Sequence, residues 1–210
     1  NNSAEAEEGS MYIAIRGERF DGHSFICDSL ANGACAILVD NLSDEVRKSG
    51  YSFFAVIVED TIKALAKLAA WYRSLSKAKF VAVTGSVGKT TTKEFIYSAL
   101  SMGMKVHKSK GNYNNEIGLP MSIFELEKDD QVSVVEMGMS NFGEISNMSK
   151  IVHPDIAVVT NIGTSHIASL GSRENICRAK LEILDGMNES GTIILNADEP
   201  LLFDKKDELF

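Results

Sequence analysis

One segment of the chain has residue types that could hold a phosphate group. The apolar residues 80–83 are followed by Thr84-Gly-Ser-Val-Gly88, and then by Lys89 and Thr90 at the start of a helical pattern. The two glycines let the backbone turn tightly, so N–H groups can approach an anion closely. The lysine ammonium can reach terminal phosphate oxygens, and the threonine hydroxyl can bind Mg²⁺. We predict a phosphate-binding loop made of Gly85, Ser86, Val87, Gly88, Lys89, Thr90 and Thr91.

The glycine spacing differs from that of the general P-loop. That pattern places four residues between its glycines, whereas only Ser86 and Val87 lie between them here. An ordinary strand-to-helix turn rich in small residues is the structural alternative. The order of strand, two glycines, Lys-Thr and helix favours the phosphate site.

Two further residues that could do chemistry follow apolar strands. Glu136 ends the run that begins at Val132, and His166 comes soon after residues 156–160. A carboxylate on a neighbouring strand end can complete a Mg²⁺ shell begun by a threonine hydroxyl, and neutral imidazole can bind a metal or contact phosphate. The alternatives are a salt bridge for the glutamate and a structural role for the histidine. Because carboxyl ends of parallel strands share one edge, we expect Thr84, Glu136 and Asn161 to lie close together.

Residues 111–120, with three asparagines, two glycines and a proline, are predicted to form a binding loop. Carboxamides donate and accept hydrogen bonds, which suits them to recognise a base or an amide-rich substrate. A turn that uses asparagine's tolerance of positive φ is the alternative. Lys180 lies within a helical pattern, and by that pattern alone we predict that it is a solvated helix lysine.

The bulk composition narrows the functional class. The 210 residues are 44% hydrophobic and carry a formal charge of −8, which favours a folded domain and argues against a general nucleic-acid or anionic-membrane surface. Even the longest apolar runs, such as residues 53–58, are too short to cross a bilayer. The three cysteines lack metal-site spacing and suit reduced thiols. We expect a cytoplasmic monomer without membrane insertion or nucleic-acid partners.

Strand and helix patterns alternate along the chain, which predicts an α/β fold with a mostly parallel sheet. Strands are predicted at 11–15, 35–39, 53–58, 80–84, 105–107, 132–136, 156–160 and 192–196. Helices are predicted at 25–32, 61–75, 89–101, 142–150 and 174–187. Residues 74–79 have the composition of a linker. We predict a smaller α/β domain at 1–76, which the resemblance described below implies is incomplete, followed by a P-loop-type nucleotide-binding domain at 77–210.

Taken together, these segments resemble the Mur ligase family. The matching blocks are Arg16–Phe25, Thr84–Glu94, Gly111–Pro120, Glu136–Met139 with Gly143-Glu-Ile145, Asn161–His166, Arg178-Ala-Lys180 and Leu195–Asp198. The short glycine spacing is similar to that family's nucleotide loop. The Asn-Tyr-Asn-Asn-Glu-Ile and Glu-Met-Gly-Met blocks favour the member that adds D-Ala-D-Ala to a UDP-N-acetylmuramoyl tripeptide, in peptidoglycan precursor synthesis.

The resemblance implies an ATP- and Mg²⁺-dependent ligase that forms an amide bond through an acyl phosphate. By matched position, Lys89 would hold the β- and γ-phosphates, and Thr90 with Glu136 would hold one Mg²⁺ ion. His166 would help to hold a second Mg²⁺ ion. Lys180 matches a carbamylated family lysine, which would bind that second ion as an anion, in place of the solvated role above. The implied catalytic residues are Lys89, His166 and Lys180.

The asparagines also acquire implied roles. Asn115 and Asn196 match contacts on the adenine side of ATP, and Asn112 and Asn114 would lie toward the muramyl peptide. The family's uridine-binding Asp-Ser-Arg segment is matched by Asn2-Ser3-Ala4, so Ser3 is a candidate substrate-binding residue without its charged neighbours.

The resemblance covers only part of the family's architecture. By this resemblance, we expect the family's carboxy-terminal domain and the first strand and helix of its amino-terminal domain to be missing from this sequence. We therefore expect weak nucleotide binding and little ligation by this chain alone, because domain closure assembles such sites. Another Mur enzyme, a folate polyglutamate synthase and a non-catalytic nucleotide-binding derivative remain alternatives. A P-loop switch or kinase is disfavoured, since no Asn-Lys-x-Asp motif occurs.

Overall fold

A computed structural model describes residues 6–17 and 20–205. The chain forms two compact units, 1–65 and 66–210. The candidate Ser3 and its neighbours Asn2 and Ala4 lie outside the described residues.

Unit 1 is built on a small parallel sheet. Its strands are β1 (Met11–Ile13), β2 (Ala36–Val39) and β3 (Phe54–Ile57), in the order β1-β2-β3. Its short helices are a 3-10 turn (Gly22–Phe25), α1 (Ile26–Ala31) and α2 (Asp44–Arg47). Tyr12, Ile26 and Ile37 belong to one buried apolar cluster. The predicted strand and helix types are confirmed in this unit, and α2 is an element that the sequence did not predict.

The long helix α3 (Thr61–Leu75) contains the boundary between the two units. This boundary lies earlier than the predicted division after residue 76. The second half of α3 groups with unit 2, where the Tyr72 hydroxyl donates to the Leu126 carbonyl at 3.2 Å and Arg73 Nε donates to the Val152 carbonyl at 2.6 Å.

Unit 2 contains a five-stranded parallel sheet. Its strands are β4 (Lys79–Thr84), β5 (Val106–Lys108), β6 (Val132–Glu136), β7 (Ile156–Val159) and β8 (Thr192–Leu195), in the order β5-β6-β4-β7-β8. Its helices are α4 (Lys89–Leu100), α5 (Gly118–Ile123), α6 (Glu144–Val152), α7 (Ile167–Leu170), α8 (Arg173–Leu181) and α9 (Pro200–Phe203), with a 3-10 turn at Glu182–Leu184 after α8. The predicted α/β class with a mostly parallel sheet is confirmed.

The central strand β4 is buried on both faces, which explains its unbroken apolar run. Phe80 and Ala82 belong to the larger apolar cluster, whereas Val81 and Val83 belong to a second cluster against which Ile96 of α4 packs. Alternate residues therefore anchor opposite sides of the sheet.

Three short helices of unit 2 were not predicted: α5, α7 and α9. The helix α5 begins at Gly118, inside the segment predicted as a loop, and its Pro120 lies in the first turn, where a helix needs no N–H donor. The predicted helix 174–187 ends at Leu181 and continues as the 3-10 turn. Among the described residues, no helix is long and apolar enough to cross a membrane.

Candidate active site

The strand order brings the candidate residues to one edge of the unit 2 sheet. β4 lies between β6 and β7, with Val83 paired to Glu136 and Thr84 paired to Val159. After β4 the chain continues to β5 on one side of the sheet, and after β6 it crosses β4 to reach β7. Such a switch point opens a crevice at the carboxyl ends of the strands. The predicted proximity of the Thr84, Glu136 and Asn161 positions is confirmed.

The predicted phosphate loop is a tight turn between β4 and α4. Gly85 has φ +150° and Gly88 has φ +81°, both in a region that favours glycine. A Cβ atom at residue 85 would lie 1.9 Å from Thr160 Oγ1, whereas one at residue 88 would meet no atom within 4 Å. At residue 85, both the positive φ and the lack of space beside Thr160 favour glycine. At residue 88, only the positive φ does.

The first turn of α4 offers unpaired donors to a ligand. Within the described part of the chain, no acceptor is found for the N–H groups of Lys89, Thr90 and Thr91. The amino end of this 12-residue helix also carries a partial positive charge. These groups suit the binding of an anion such as a phosphate.

Asn161 fastens the tip of the phosphate loop to the end of β7. Its side-chain oxygen accepts from the Val87 N–H at 3.1 Å, and its amide nitrogen donates to the Val87 carbonyl at 3.0 Å. Its own carbonyl accepts from the Ser86 N–H, and Thr160 Oγ1 also donates to the Val87 carbonyl, at 2.7 Å. The N–H groups of Ser86 and Val87 are thus engaged within the chain, and those at the start of α4 remain open.

Glu136 is held by donors from two other segments. Thr90 Oγ1 donates to Glu136 Oε2 at 2.7 Å, and Asn114 Nδ2 donates to Glu136 Oε1 at 2.8 Å. The Glu136 backbone N–H donates to Ser109 Oγ at 3.2 Å. The glutamate is only 2% exposed, and its oxygens have no ion pair to Lys, Arg or His in the described residues. A salt bridge was the structural alternative for Glu136, and the described residues form none with it.

This pair fits a magnesium ion shared with a bound phosphate. Hydroxyl and carboxylate oxygens are ligands that Mg²⁺ accepts, and adjacent ligands of an octahedral Mg²⁺ stand about 3 Å apart. Thr90 Oγ1 and Glu136 Oε2 are 2.7 Å apart. The described residues contain no group of three or more His, Cys, Asp or Glu that could hold a metal. Such a site is consistent with an ion that takes its remaining ligands from phosphate and water.

A cleft of about 260 Å³ adjoins the phosphate loop. It is lined by Gly85, Ser86, Lys89, Asn114, Asn115, Gly138, Met139, Ser140, Glu144, His166 and Lys180. Lys89 Nζ donates to the Gly85 carbonyl at 2.9 Å, which leaves two of its three N–H groups for a ligand. The structure thus brings together all three of the predicted catalytic residues.

Lys180 is buried, and the prediction of a solvated helix lysine was wrong. It is 2% exposed because the face of α8 that carries it packs inward, with Ile176 and Cys177 also buried. Burial, and secondarily the positive charge of Lys89, lower the pKa of Lys180 from its ordinary value of 10.5 to about 8. The neutral amine of Lys180 is therefore more populated near neutral pH than that of an ordinary lysine.

His166 lines the same cleft. It is exposed and has φ +66°, a left-handed conformation that is uncommon for residues other than glycine, and it precedes the first residue of α7. Unusual backbone conformations of this kind concentrate at functional sites.

Of the four asparagines predicted to contact ligands, two line the cleft and two do not. Asn115 lines the cleft, but its side-chain oxygen accepts from the N–H groups of Ile117 and Gly118, as in the turn considered as an alternative. Asn114 also lines the cleft and contacts Glu136, a partner that the sequence did not predict. Asn112 is exposed, and Asn196 donates to the Thr160 carbonyl at 3.1 Å. Neither of the last two is among the cleft-lining residues.

Sequence reasoning assigned no role to Lys93 and Ser109, and it placed Asn161 at this edge of the sheet without predicting its hydrogen bonds to the phosphate loop. The position of Asn161 two residues beyond the end of β7 was the available signal for that residue. Lys93 lies one helical turn beyond Thr90, but nothing in the sequence pattern showed that it is buried.

Comparisons with known proteins agree with these features. Residues 83–209 match the Mur ligase middle domain, and residues 1–73 match the Mur ligase family, catalytic domain. The UDP-N-acetylmuramoyl-tripeptide–D-alanyl-D-alanine ligase of Bacillus subtilis is 44% identical over 196 residues, which cover 93% of this chain and 42% of that protein.

Two solved structures are similar to the chain as well. MurF from Acinetobacter baumannii matches with a TM-score of 0.89 and 38% identity, over 98% of this chain and 44% of that one. MurF ligase from Thermotoga maritima in complex with ADP matches with a TM-score of 0.88 and 39% identity, over 99% and 47%. The chain therefore spans less than half the length of each of these proteins.

Proposed function

Because the chain belongs to the Mur ligase family, we propose that unit 2 binds ATP with Mg²⁺ and that the whole protein is a ligase of peptidoglycan precursor synthesis. Its substrates would be a UDP-N-acetylmuramoyl tripeptide and D-Ala-D-Ala, as the names of the matched relatives state for those proteins. The observation that carries the proposal is the contact of Thr90 with the buried Glu136, beside the open N–H groups that begin α4.

A carboxylate is a poor electrophile, so in the proposed reaction ATP first activates the carboxylate of the tripeptide. A carboxylate oxygen of the tripeptide attacks the γ-phosphorus of ATP, the bond from that phosphorus to the bridging oxygen breaks, and ADP leaves. The amine of D-Ala-D-Ala then attacks the acyl carbon. Collapse of the tetrahedral intermediate expels phosphate, and the nitrogen loses a proton to give the amide.

The residues near the phosphate loop would stabilise the charge that develops on the transferring phosphoryl group. Lys89 and the N–H groups of Thr90 and Thr91 would donate to phosphate oxygens. Thr90 and Glu136 would hold Mg²⁺, which when bound neutralises phosphate charge. The fixed contact of Glu136 with Asn114 keeps the carboxylate oriented before a ligand arrives.

We propose that Lys180 is carbamylated in the active protein. Its neutral amine would attack CO₂ and lose a proton, giving an anionic carbamate that, with His166, could hold a second Mg²⁺ ion. At pH 7 a lysine with a pKa of about 8 is about one-tenth neutral, whereas an ordinary lysine is neutral in fewer than about one molecule in a thousand. Because more of its amine is neutral, the buried Lys180 should be carbamylated more readily than a surface lysine.

The remaining positions complete the proposed substrate contacts. Asn115 and Asn196 would contact the adenine, with Asn196 held at the end of β8 by its bond to Thr160. Asn112, Asn114 and Ser3 would contact the UDP-linked substrate. The requirement for ATP supports a cytoplasmic site of action, and we propose a monomer.

The nucleotide site can be tested with Lys89→Ala. Calorimetric titration should show that this variant loses at least tenfold in affinity for MgATP, because a charge-assisted contact to phosphate is removed. Lys128→Ala, at an exposed position of unit 2, is the matched control and should bind like the unchanged chain. Equal affinity of Lys89→Ala and the control would refute the phosphate-loop assignment.

The ligase activity is tested by phosphate release from ATP by the whole protein. Release should require D-Ala-D-Ala together with the UDP-N-acetylmuramoyl tripeptide. Release driven equally well by a folate and glutamate would identify a folate polyglutamate synthase instead. MgATP binding without release under any pair of substrates would support a non-catalytic nucleotide-binding derivative.

A further inference from the structure

Lys93 is a buried charge for which the proposed reaction has no use. It is 0% exposed, and its ammonium donates to the Ser109 carbonyl at 2.7 Å. A second carbonyl, that of Gly111, lies 3.5 Å away. The nearest carboxylate oxygen belongs to Glu94 at 3.6 Å, and Glu94 is also bound by Lys108. The ammonium is thus satisfied mainly by the backbone of one segment.

Burying an ammonium is costly unless it is well paired, and an apolar side chain of similar length would fill the same space at less cost. Lys93 is absent from the lining of the cleft, so its charge does not face a ligand there. A buried polar group of this kind can instead fix one arrangement of its surroundings. The surroundings that Lys93 could fix are the backbone of residues 109–111, whose carbonyls it contacts.

The backbone fixed by Lys93 leads directly to Glu136. Ser109 uses its carbonyl for Lys93 and its hydroxyl for the Glu136 N–H. A few residues further along, Asn114 donates to Glu136 Oε1, and its carbonyl accepts from the Gly138 N–H at 2.7 Å. The segment 109–114 therefore contacts both the backbone and the carboxylate of Glu136.

Helix α4 approaches the same glutamate from the other side. Thr90 and Lys93 lie three residues apart, on adjacent turns of the helix surface. Thr90 contacts the second carboxylate oxygen directly, while Lys93 holds the segment that contacts the first. One helix thus sets the position of both groups that orient the carboxylate.

We propose that Lys93 is a positioning residue for the magnesium site, acting through Ser109 and Asn114 on the carboxylate of Glu136. This inference rests on the proposed function, because it concerns how the chain prepares Glu136 and Thr90 for Mg²⁺. The role differs from that of Lys89, which faces the cleft. Lys93 acts on the metal ligand and not on the nucleotide.

The test compares ADP binding with and without Mg²⁺. Calorimetric titrations of the unchanged chain and of Lys93→Met are made with excess Mg²⁺ and again with a chelator. We expect the gain in ADP affinity that Mg²⁺ provides to fall at least tenfold in Lys93→Met, while affinity without Mg²⁺ stays within about twofold. Lys150→Met, at an exposed position of α6, is the matched control and should keep the full gain.

A double variant separates positioning from general destabilisation. Asn114→Ala should also reduce the Mg²⁺-dependent gain, and combining it with Lys93→Met should add little, because both changes act on one carboxylate oxygen. Equal losses with and without Mg²⁺, or fully additive losses, would overturn the positioning role. If Lys93→Met does not fold, Lys93→Leu, which likewise has no donor for Ser109, takes its place and should lose the Mg²⁺-dependent gain in the same way. Failure of both to fold would assign Lys93 to stability alone and would also overturn the proposal.

The outcomes distinguish this inference from the proposed function. If the unchanged chain binds ADP more tightly with Mg²⁺ but Lys93→Met behaves identically, only the role of Lys93 is wrong. If the unchanged chain binds no nucleotide under either condition, the proposed function fails together with the inference.

Discussion

At the scale of single residues, Glu136 shows most directly what the site is prepared to bind. Each of its carboxylate oxygens accepts a hydrogen bond from a neutral donor, one from Thr90 and one from Asn114. A carboxylate that is 2% exposed and has no cationic side chain paired to it in the described residues would be stabilised by a divalent cation. Its neighbours thus fix its orientation without neutralising its charge.

Replacement of this charge should separate metal binding from nucleotide binding. Glu136→Gln keeps the shape and an acceptor oxygen for Thr90, so the fold should remain intact. The affinity for ADP with Mg²⁺ should fall at least tenfold, and the affinity for ADP with a chelator should change little, as calorimetry can measure. Glu127→Gln, on the exposed turn before β6, is the control. An unaltered Mg²⁺ dependence would show that Glu136 is not a metal ligand.

Lys180 gives a prediction about pH and stability in the absence of ligands. Its pKa is about 8 in the folded chain, below the ordinary value of 10.5, so the unfolded chain binds more protons between these values. Stability should therefore rise with pH across that window, and below pH 8 the buried charge should cost up to about 3 kcal/mol. The cleft also presents Lys89, His166 and Glu144 near this group.

The measurement is denaturant unfolding of Lys180→Met at pH 7 and near pH 10. The variant should be more stable than the unchanged chain at pH 7, and this advantage should shrink as the pH rises because the amine of the unchanged chain becomes neutral. Lys128→Met, at an exposed position, should show no such trend. A pH-independent difference would mean that the charge of Lys180 has no unusual cost.

At the scale of elements, the phosphate loop depends on the strand beside it. Gly85 lies against Thr160, and Asn161 ties the Val87 backbone with two side-chain hydrogen bonds. The open N–H groups of α4 are presented in one arrangement because the preceding turn is fastened to the end of β7. The turn and the end of β7 form one structural unit although more than 70 residues separate them in sequence.

Two glycine substitutions test this dependence. Gly85→Ala should destabilise the chain by roughly 3 kcal/mol or more, because the new Cβ would overlap Thr160 Oγ1 and adopt an unfavourable φ. Gly88→Ala should cost only about 1 to 2 kcal/mol, since its Cβ would meet open space. Thermal unfolding measures both, and Thr160→Ala should partly rescue Gly85→Ala. Equal costs for the two glycine variants would argue against the close contact.

At the scale of the whole molecule, the described chain consists of two compact units, each built on its own parallel sheet. The candidate phosphate, metal and cleft residues that the structure describes all belong to unit 2, at the switch point between β4, β6 and β7. Nucleotide binding should therefore be a property of unit 2.

Hydrogen exchange with mass spectrometry can locate this binding on the molecule. MgADP should slow exchange most at residues 89–91 and 109–115, because the open N–H groups of α4 would be bonded to phosphate and the Asn114 segment would be fixed by the metal. The strands β1 to β3 of unit 1 serve as an internal reference and should exchange at unchanged rates. Protection centred on unit 1 instead would contradict the assignment.

The amino-acid sequence by itself determined the order and type of the principal strands and helices of both units. Apolar runs as in β4 and β6 indicated strands, and Gly85 to Thr90 indicated an anion site, because these are local properties of the chain. The resemblance to the Mur ligase family also followed from short blocks of sequence, and the comparisons confirm it. The shortest helices, such as α2 and α7, were missed because a single turn has too few residues to show a period.

Only the tertiary structure decided which polar groups meet. Helical spacing predicted that Lys180 is solvated, but the packing of α8 buries it and lowers its pKa. The bonds of Lys93 to Ser109 and of Asn114 to Glu136 join segments whose contact depends on the strand order β5-β6-β4-β7-β8. Burial and long-range hydrogen bonds depend on neighbours distant in sequence, so local pattern could name the candidate ligands but not the network that holds them.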